Sequence, residues 1–428
     1  MTLPGSNTRI RRRSMALAAF STVVEWYDFT IYLYLATVMA RVFYGGGELS
    51  LAATLGGFAL AYLMRPLGAL AFGQFGDRHG RRATLLLSMA LMTVAMLTTA
   101  LLPTYAQIGA AAGWLLLALR CVMAFAVGGE YTGVVAYLLE GAPAHRRGFV
   151  TSLAAAASEV GGLLAVAVSA VTVASMSQAS LDGWGWRIPF LIGAGLAIVV
   201  WIARQSMEES PDFLGQREAG TVPANPLKYT LTNHRAAIGR GFAISALGSI
   251  TYYVGITYVP AFLTTVGKLA EADALWLATA AAVVVIAVTP LVGWLSDRVG
   301  RRPVLVVLAV LGAALPLAMF AWMAGGAGWQ IVAGALVLAG LAGAVSAVGA
   351  VATAEQFPGE GRLSGLALGA TTATAIFGGL TPLLAHLLTQ RTGWAAAPGA
   401  MIAVVAIGVL PVLWWLPRRG YAASASSP

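Results

Sequence analysis

The sequence predicts an all-α integral membrane protein: twelve transmembrane helices in two pseudo-symmetric six-helix bundles. Three observations predict it. Hydrophobic residues make up 59% of the 428 positions and charged residues only 10%, whereas soluble domains carry roughly 25% charged residues. Apolar runs of the ~20 residues that span a hydrocarbon core recur along the whole chain. A charged decapeptide, Gly73-Gln-Phe-Gly-Asp-Arg-His-Gly-Arg-Arg82, returns as Gly293-Trp-Leu-Ser-Asp-Arg-Val-Gly-Arg-Arg302, with identical residues at six of ten positions and an offset of 220 residues.

Six apolar segments precede the middle of the chain, at 15–40, 51–73, 83–102, 107–140, 148–173 and 187–204. The first follows a basic stretch ending at Arg13. It has no small-residue cleavage site behind a short core, and Glu25 and Asp28 interrupt it, so it reads as a retained helix rather than a secretory signal. Arg65-Pro66 marks a kink in the second. The charged turn separates the second from the third. A polar stretch, 205–237, rich in Glu, Asp and Pro, links this bundle to the next. Segments 238–264, 273–295, 303–324, 329–354, 363–388 and 395–416 follow, with Pro260 kinking the first of them. The domain plan is thus a tail (1–14), a bundle (15–204), a linker (205–237), a second bundle (238–416) and a tail (417–428). A second echo supports duplication: Glu140-x-x-Pro143 precedes Arg146 as Glu355-x-x-Pro358 precedes Arg362.

Lys and Arg set the orientation. With the N-terminus inside, 20 of the 26 fall on the cytoplasmic side and four opposite, with Arg65 and Arg120 inside helices. Both termini are expected in the cytoplasm of a multi-pass inner-membrane protein. The net charge of +9 does not point to nucleic acid, because the basic residues sit in short clusters between apolar runs. Cys121 is the single cysteine, which excludes an intrachain disulfide or a cysteine metal cluster. No metal-ligand spacing, nucleophile elbow or phosphate loop occurs. The expectation is therefore no enzyme, no cofactor and no metal.

Repeated bundles with a midplane site are the plan of many secondary transporters. The repeated G-x-x-x-D-R-x-G-R-R loop resembles that of the major facilitator superfamily, over nearly the whole chain. Glu25-Trp-Tyr-Asp-Phe29, Met64-Arg-Pro-Leu-Gly68, Gly128-Gly-Glu-Tyr131, Trp186-Arg-Ile-Pro-Phe190, Glu209-Ser-Pro-Asp-Phe213 and Ile376-Phe-Gly-Gly379 resemble its metabolite:proton symporter branch. Members of that branch carry citrate-like tricarboxylates, 2-oxoglutarate, shikimate, or osmolytes such as proline and betaine. The chain departs from the branch at Ala154 and Ala155, where glutamines are frequent, and at Thr371, where an Asn is frequent.

Ionisable groups inside spanning helices are functional candidates. Glu25 and Asp28, three positions apart on one helix face, are candidate proton carriers, or else static partners of Arg65 or Arg120. Arg120 is the first candidate anchor for an anionic substrate, since its planar fork matches a carboxylate; the alternative is a permanent pair with Glu130 or Glu25. Arg65 is a second substrate candidate. Glu130 and Glu159 complete the proton-coupling set, and Tyr252, Tyr253 and Thr371 are further substrate contacts. Family resemblance implies that Asp77, Arg81 and Glu140 lock the cytoplasmic face, with Asp297, Arg301 and Glu355 as the symmetric set; Arg78 and Arg298 belong to the same gating loops. The expected function is proton-coupled import of a small organic acid, a di- or tricarboxylate, by a monomer in the lipid bilayer. A zwitterionic osmolyte symporter is the alternative, followed by a non-transporting sensor and a drug exporter.

Overall fold

The computed structural model describes residues 10–47 and 50–416; most of the N-terminal tail and the whole tail 417–428 lie outside the described residues. All twelve predicted segments are helical. Helix 1 runs over Arg12–Tyr34 and, after a break at Leu35, Ala36–Tyr44. Helix 2 comprises Ser50–Tyr62 and Met64–His79. Its break falls at Leu63 because Pro66, four residues beyond Tyr62, has no N–H to give the Tyr62 carbonyl. Helices 3 to 6 are Arg81–Leu101, Ala111–Gly141, Arg147–Ser175 and Arg187–Arg204.

Two short helices, Pro211–Ala219 and Pro226–Asn233, occupy the linker. Ser210 and Asn225 cap them by accepting from the N–H of Phe213 and Lys228, and each has proline in its first turn, where a missing N–H costs nothing.

Helix 7 is Arg235–Tyr252, continued by a π-helical turn, Tyr253–Thr257, and after a bend of 40° by Val259–Thr265. The bend lies beside Pro260. Helices 8, 9 and 10 are Glu271–Val299, Arg301–Gly325 and Gly328–Ala354. Helix 11 starts at Arg362–Leu366, passes through two π-helical turns, Ala367–Thr371 and Ala375–Gly379, and ends as Thr381–Thr392; helix 12 is Ala397–Trp414.

Among the described residues nine helices are long and apolar enough to cross a membrane, and the bent helix 7 makes a tenth. The other two predicted spans are helix 1, which carries Glu25 and Asp28, and helix 2, whose two pieces are each short of the ~20 residues a span needs. Leu101, Val199, Val404 and Trp414 are more than half exposed. Side chains of this kind on the outside of a helical bundle require an apolar solvent.

Inside, Tyr27, Phe43, Trp186 and Phe190 are fully buried in one core of the first half, and Phe262 and Phe320 in the second. Helix 5 packs on helix 8, and helix 2 on helix 11, so each seam between halves joins an element of each bundle. The seam between helices 5 and 8 is a close crossing. A Cβ on Gly148 would stand 2.5 Å from the Gly293 carbonyl oxygen, and one on Gly293 would stand 2.6 Å from that of Gly148. Small residues permit such an approach.

Gly80 and Gly300 join helix 2 to 3 and helix 8 to 9 at φ 109° and 101°. A side chain rarely adopts that region, so glycine at this repeat position permits the sharp turn. The expected charged turns are thus built alike in both halves.

Candidate functional site

Both motif aspartates reach across the seam. Asp77 accepts from the backbone N–H groups of Leu363 (3.1 Å) and Ser364 (2.8 Å), at the start of helix 11. Asp297 accepts from those of Gly148 (2.7 Å) and Phe149 (2.8 Å), at the start of helix 5. Each carboxylate therefore meets otherwise unsatisfied donors and the positive end of a helix dipole in the opposite half.

Behind each aspartate lies an arginine. Arg81 donates to Glu140 through Nε and Nη2 at 3.0 and 2.9 Å and stands 3.3 Å from Asp77. Arg301 holds Glu355 at 3.2 Å and Asp297 at 2.8 Å. Arg362, counted from sequence only as a flanking charge, bridges Glu140 at 2.5 Å and the linker residue Asp212 at 2.9 Å. Glu209 of the same linker accepts from the N–H groups of Arg81 (2.9 Å) and Arg82 (3.2 Å). Burial pushes its carboxyl up from the ordinary range, and those backbone bonds oppose the shift. Arg78 and Arg298 are exposed and take no part in these bonds; Arg298 lies over the Trp294 ring at 3.9 Å. The arginine-rich end of the seam is closed.

A cavity of about 200 Å³ lies between the halves. A cavity of roughly 150 Å³ admits benzene, so this one suits a compact solute. Helices 1, 2, 4, 5, 7, 8, 10 and 11 supply its wall. Helix 7 and helix 11 contribute beside their π-helical turns, which recur at functional sites.

Of the sequence candidates, the structure brings Glu25, Arg65, Glu159, Tyr252, Tyr253 and Thr371 to the wall. Arg65 is the one cation among the described lining residues. Its guanidinium lies 4.8 Å from the Phe29 ring centroid and 4.7 Å from that of Tyr62. Its Nη2 is 3.9 Å from Glu25 Oε1, a loose pair, and Glu25 Oε2 accepts no hydrogen bond. Opposite charge is supplied again by Glu159 on helix 5, which accepts from the Tyr252 hydroxyl of helix 7 at 2.6 Å. Ala155, at one of the two positions that depart from the related branch, also lines the wall; its neighbour Ala154 is buried, its carbonyl accepting from Thr22.

Tyr62 and Tyr253 share a hydrogen bond of 2.6 Å across the seam. Along helix 2, Tyr62 stands 15 residues before Asp77, roughly 22 Å at 1.5 Å per residue. The two halves are therefore tied together at both levels, by the aspartate caps at the arginine-rich end and by this tyrosine pair at the cavity.

Arg120 and Asp28 are placed elsewhere. Arg120 Nη1 donates to Asp28 at 2.8 Å, and Nη2 to Thr99 at 3.2 Å. The pair borders a separate cavity of about 30 Å³ that Glu25, Tyr62 and Arg65 also border. Asp28 shares a face of helix 1 with Glu25, about 60° round and about 4.5 Å further along, where it meets Arg120 of helix 4 beyond the central cavity. Arg120, the first candidate for a substrate anchor, thus borders only the smaller cavity, whereas Arg65, the second candidate, lines the central one.

Glu130 also faces away. The cavity face of helix 4 is Val127, Gly128, Tyr131, Thr132 and Val135, and position 130 falls on the other side of a helix turning 100° per residue. Glu130 instead pairs with Arg204, whose Nη1 lies 3.1 Å from Oε2, and accepts from Ser21 (2.9 Å) and Ser88 (2.6 Å). All four residues are fully buried, so this charge is neutralised and hydrogen-bonded within the first bundle. Thr372 bonds back to its own helix, and His386 contacts Tyr258, away from the cavity.

Sequence reasoning missed Tyr62 and Trp26 as lining residues and Arg204 as the partner of Glu130. Trp26 lay inside a quoted motif and Tyr62 stood two residues before another. Arg204 sits where the apolar run ends, so it read as an interfacial charge.

The profile of sugar (and other) transporters matches residues 14–235, and that of the Major Facilitator Superfamily matches residues 267–428. The chain is 33% identical over 425 residues to the alpha-ketoglutarate permease of Escherichia coli (strain K12), covering 98% of this chain and 96% of that one. It is 34% identical over 395 residues to the ectoine/proline transporter ProP of Corynebacterium glutamicum, covering 89% and 78%. In fold it is similar to the proton:xylose symporter XylE of E. coli, with a TM-score of 0.78 at 20% identity over 95% of both chains.

Proposed function

Because the chain belongs to the major facilitator superfamily of transporters, we propose that it is a proton-coupled symporter importing a small organic acid. In this reading twelve helices cross the inner cell membrane of a monomer, both termini are cytoplasmic, and no enzymatic step takes place. The observation that carries the reading is the loose Glu25–Arg65 pair at the cavity wall.

A substrate carboxylate competes with Glu25 for the Arg65 guanidinium. Once the substrate takes Arg65, Glu25 loses its counter-charge in a site of low dielectric, and a proton neutralises it. Substrate and proton therefore load together without a direct bond between them.

Reorientation then exchanges the two closures. Release toward the cytoplasm requires that the backbone bonds to Asp77 and Asp297 break, because they hold the two halves together at that end. The Tyr62–Tyr253 bond keeps the opposite path shut during release. Differential contacts of this kind are what bias one state over another.

The test is uptake into vesicles of radiolabelled small carboxylates with and without an inward proton gradient. Gradient-driven accumulation that a protonophore abolishes is the expected result. Glu25→Gln is expected to reduce accumulation at least tenfold while leaving gradient-free exchange of substrate across the membrane. A Glu25→Gln protein that still concentrates substrate would remove Glu25 from the coupling step.

A further inference from the structure

The cavity holds a second charged point that the loading step does not use. Glu159 is 8% exposed, lies on the same cavity wall as Arg65, and has no cation within ion-pair distance among the described residues. Its one side-chain partner is the neutral Tyr252 hydroxyl. A carboxylate buried without a counter-ion is costly unless something completes it. Beside it the Trp26 and Tyr252 rings meet edge to face, centroids 5.7 Å apart at 66°, and Tyr131 lines the same wall. Aromatic faces around a carboxylate are the surroundings that attract an organic cation.

We propose that Glu159, Trp26 and Tyr252 form a subsite for a substituted ammonium group, and that the solute carried is a zwitterion whose carboxylate lies on Arg65. This rests on the symport reading above and narrows it to amino-acid or betaine chemistry. Charge accounting agrees. With Glu25 protonated, Arg65 and Glu159 cancel, and a zwitterion adds no net charge, so the loaded cavity is neutral. A tricarboxylate would bring three negative groups to a cavity whose described lining holds one arginine, with Glu159 opposing them.

The test separates binding from transport. Trimethylglycine, proline, 2-oxoglutarate and 3,3-dimethylbutanoate, the isostere of trimethylglycine with carbon in place of the ammonium nitrogen, are titrated against the purified protein by tryptophan fluorescence. The same solutes are then offered to vesicles under a proton gradient. Trimethylglycine or proline is expected to bind at least tenfold more tightly than the isostere. Glu159→Gln is expected to erase most of that difference, and Glu159→Asp to keep part of it, with monodispersity checked for each variant. Equal affinity for isostere and zwitterion, or a preference that survives Glu159→Gln, overturns the subsite. Accumulation of 2-oxoglutarate without zwitterion binding also overturns it and leaves the symport reading standing. Zwitterion binding that needs Glu159, with no accumulation of any solute, supports the subsite and overturns symport.

Discussion

The two charged turns share a sequence plan and differ in their surroundings. Arg81 is fully buried, held by Asp77 and Glu140, and Glu140 is held in turn by Arg362 from the opposite half. The linker covers this set through Asp212 and Glu209. Arg301 keeps 16% of its side chain exposed and is held by Asp297, Glu355 and the Ser296 hydroxyl, all from its own half. Arg147 begins helix 5 as Arg362 begins helix 11, yet no ion pair joins it to Glu355. Duplication thus preserved the part that needs only local geometry, an aspartate four residues before an arginine across a glycine turn. The interlocking belongs to one copy, because only one copy has the linker passing over it. The Arg301 set is itself largely buried, but it lacks the second arginine and the linker carboxylate that brace Arg81 and Glu140.

That difference can be broken by substitution. The largest effect is expected for Arg81→Ala, which leaves Glu140 and Asp77 buried with fewer partners and costs about 3–5 kcal/mol of stability. Arg301→Ala is expected to cost less than half as much. Thermal unfolding in detergent compares the two, and equal losses would refute the contrast.

Next come Asp77→Asn and Asp297→Asn. Each weakens a cap across the seam by about 1 kcal/mol, roughly a fivefold shift toward the state open at the arginine-rich end. A cysteine introduced at Ala370, in a Cys121→Ser background, reports that opening through its rate of labelling by an impermeant thiol reagent. If neither variant speeds labelling, the caps are not what holds the seam. The smallest effect is expected for Arg78→Ala and Arg298→Ala, within about 0.5 kcal/mol. A larger loss at either would extend the interlock beyond the residues named.

Much of the frame was legible because it is local. The repeat marked the halves and apolar length marked the helices, whereas the two helices that start at Pro211 and Pro226 lay inside a stretch read only as a polar linker. Pro66 and Pro260 each announced a break near the place where one occurs. Within the site, Glu25 and Arg65 were legible as charges too deep to be interfacial. Pairing with Arg65 or Arg120 was one expected alternative for Glu25 and Asp28, but which acid meets which arginine was not legible. Asp28 meets Arg120 across 92 residues and Glu130 meets Arg204 across 74, and both choices depend on how helices rotate against one another. In a soluble helix the polar face reveals that rotation. Here lipid-facing and core-facing sides are both apolar, so the periodic signal is weak, and one residue of error turns a side chain by 100°.

By itself the sequence determined the membrane class, the duplication, the turns and the acids and bases available for chemistry, since each follows from composition or from residues within one turn of each other. The tertiary structure decided which charges meet. It gave Arg65 the cavity and Arg120 the space behind it, retired Glu130 into a clamp, and left Glu159 facing the cavity without a cation. The physical reason is that a buried charge is defined by its neighbours, and in a bundle of apolar helices those neighbours come from distant parts of the chain.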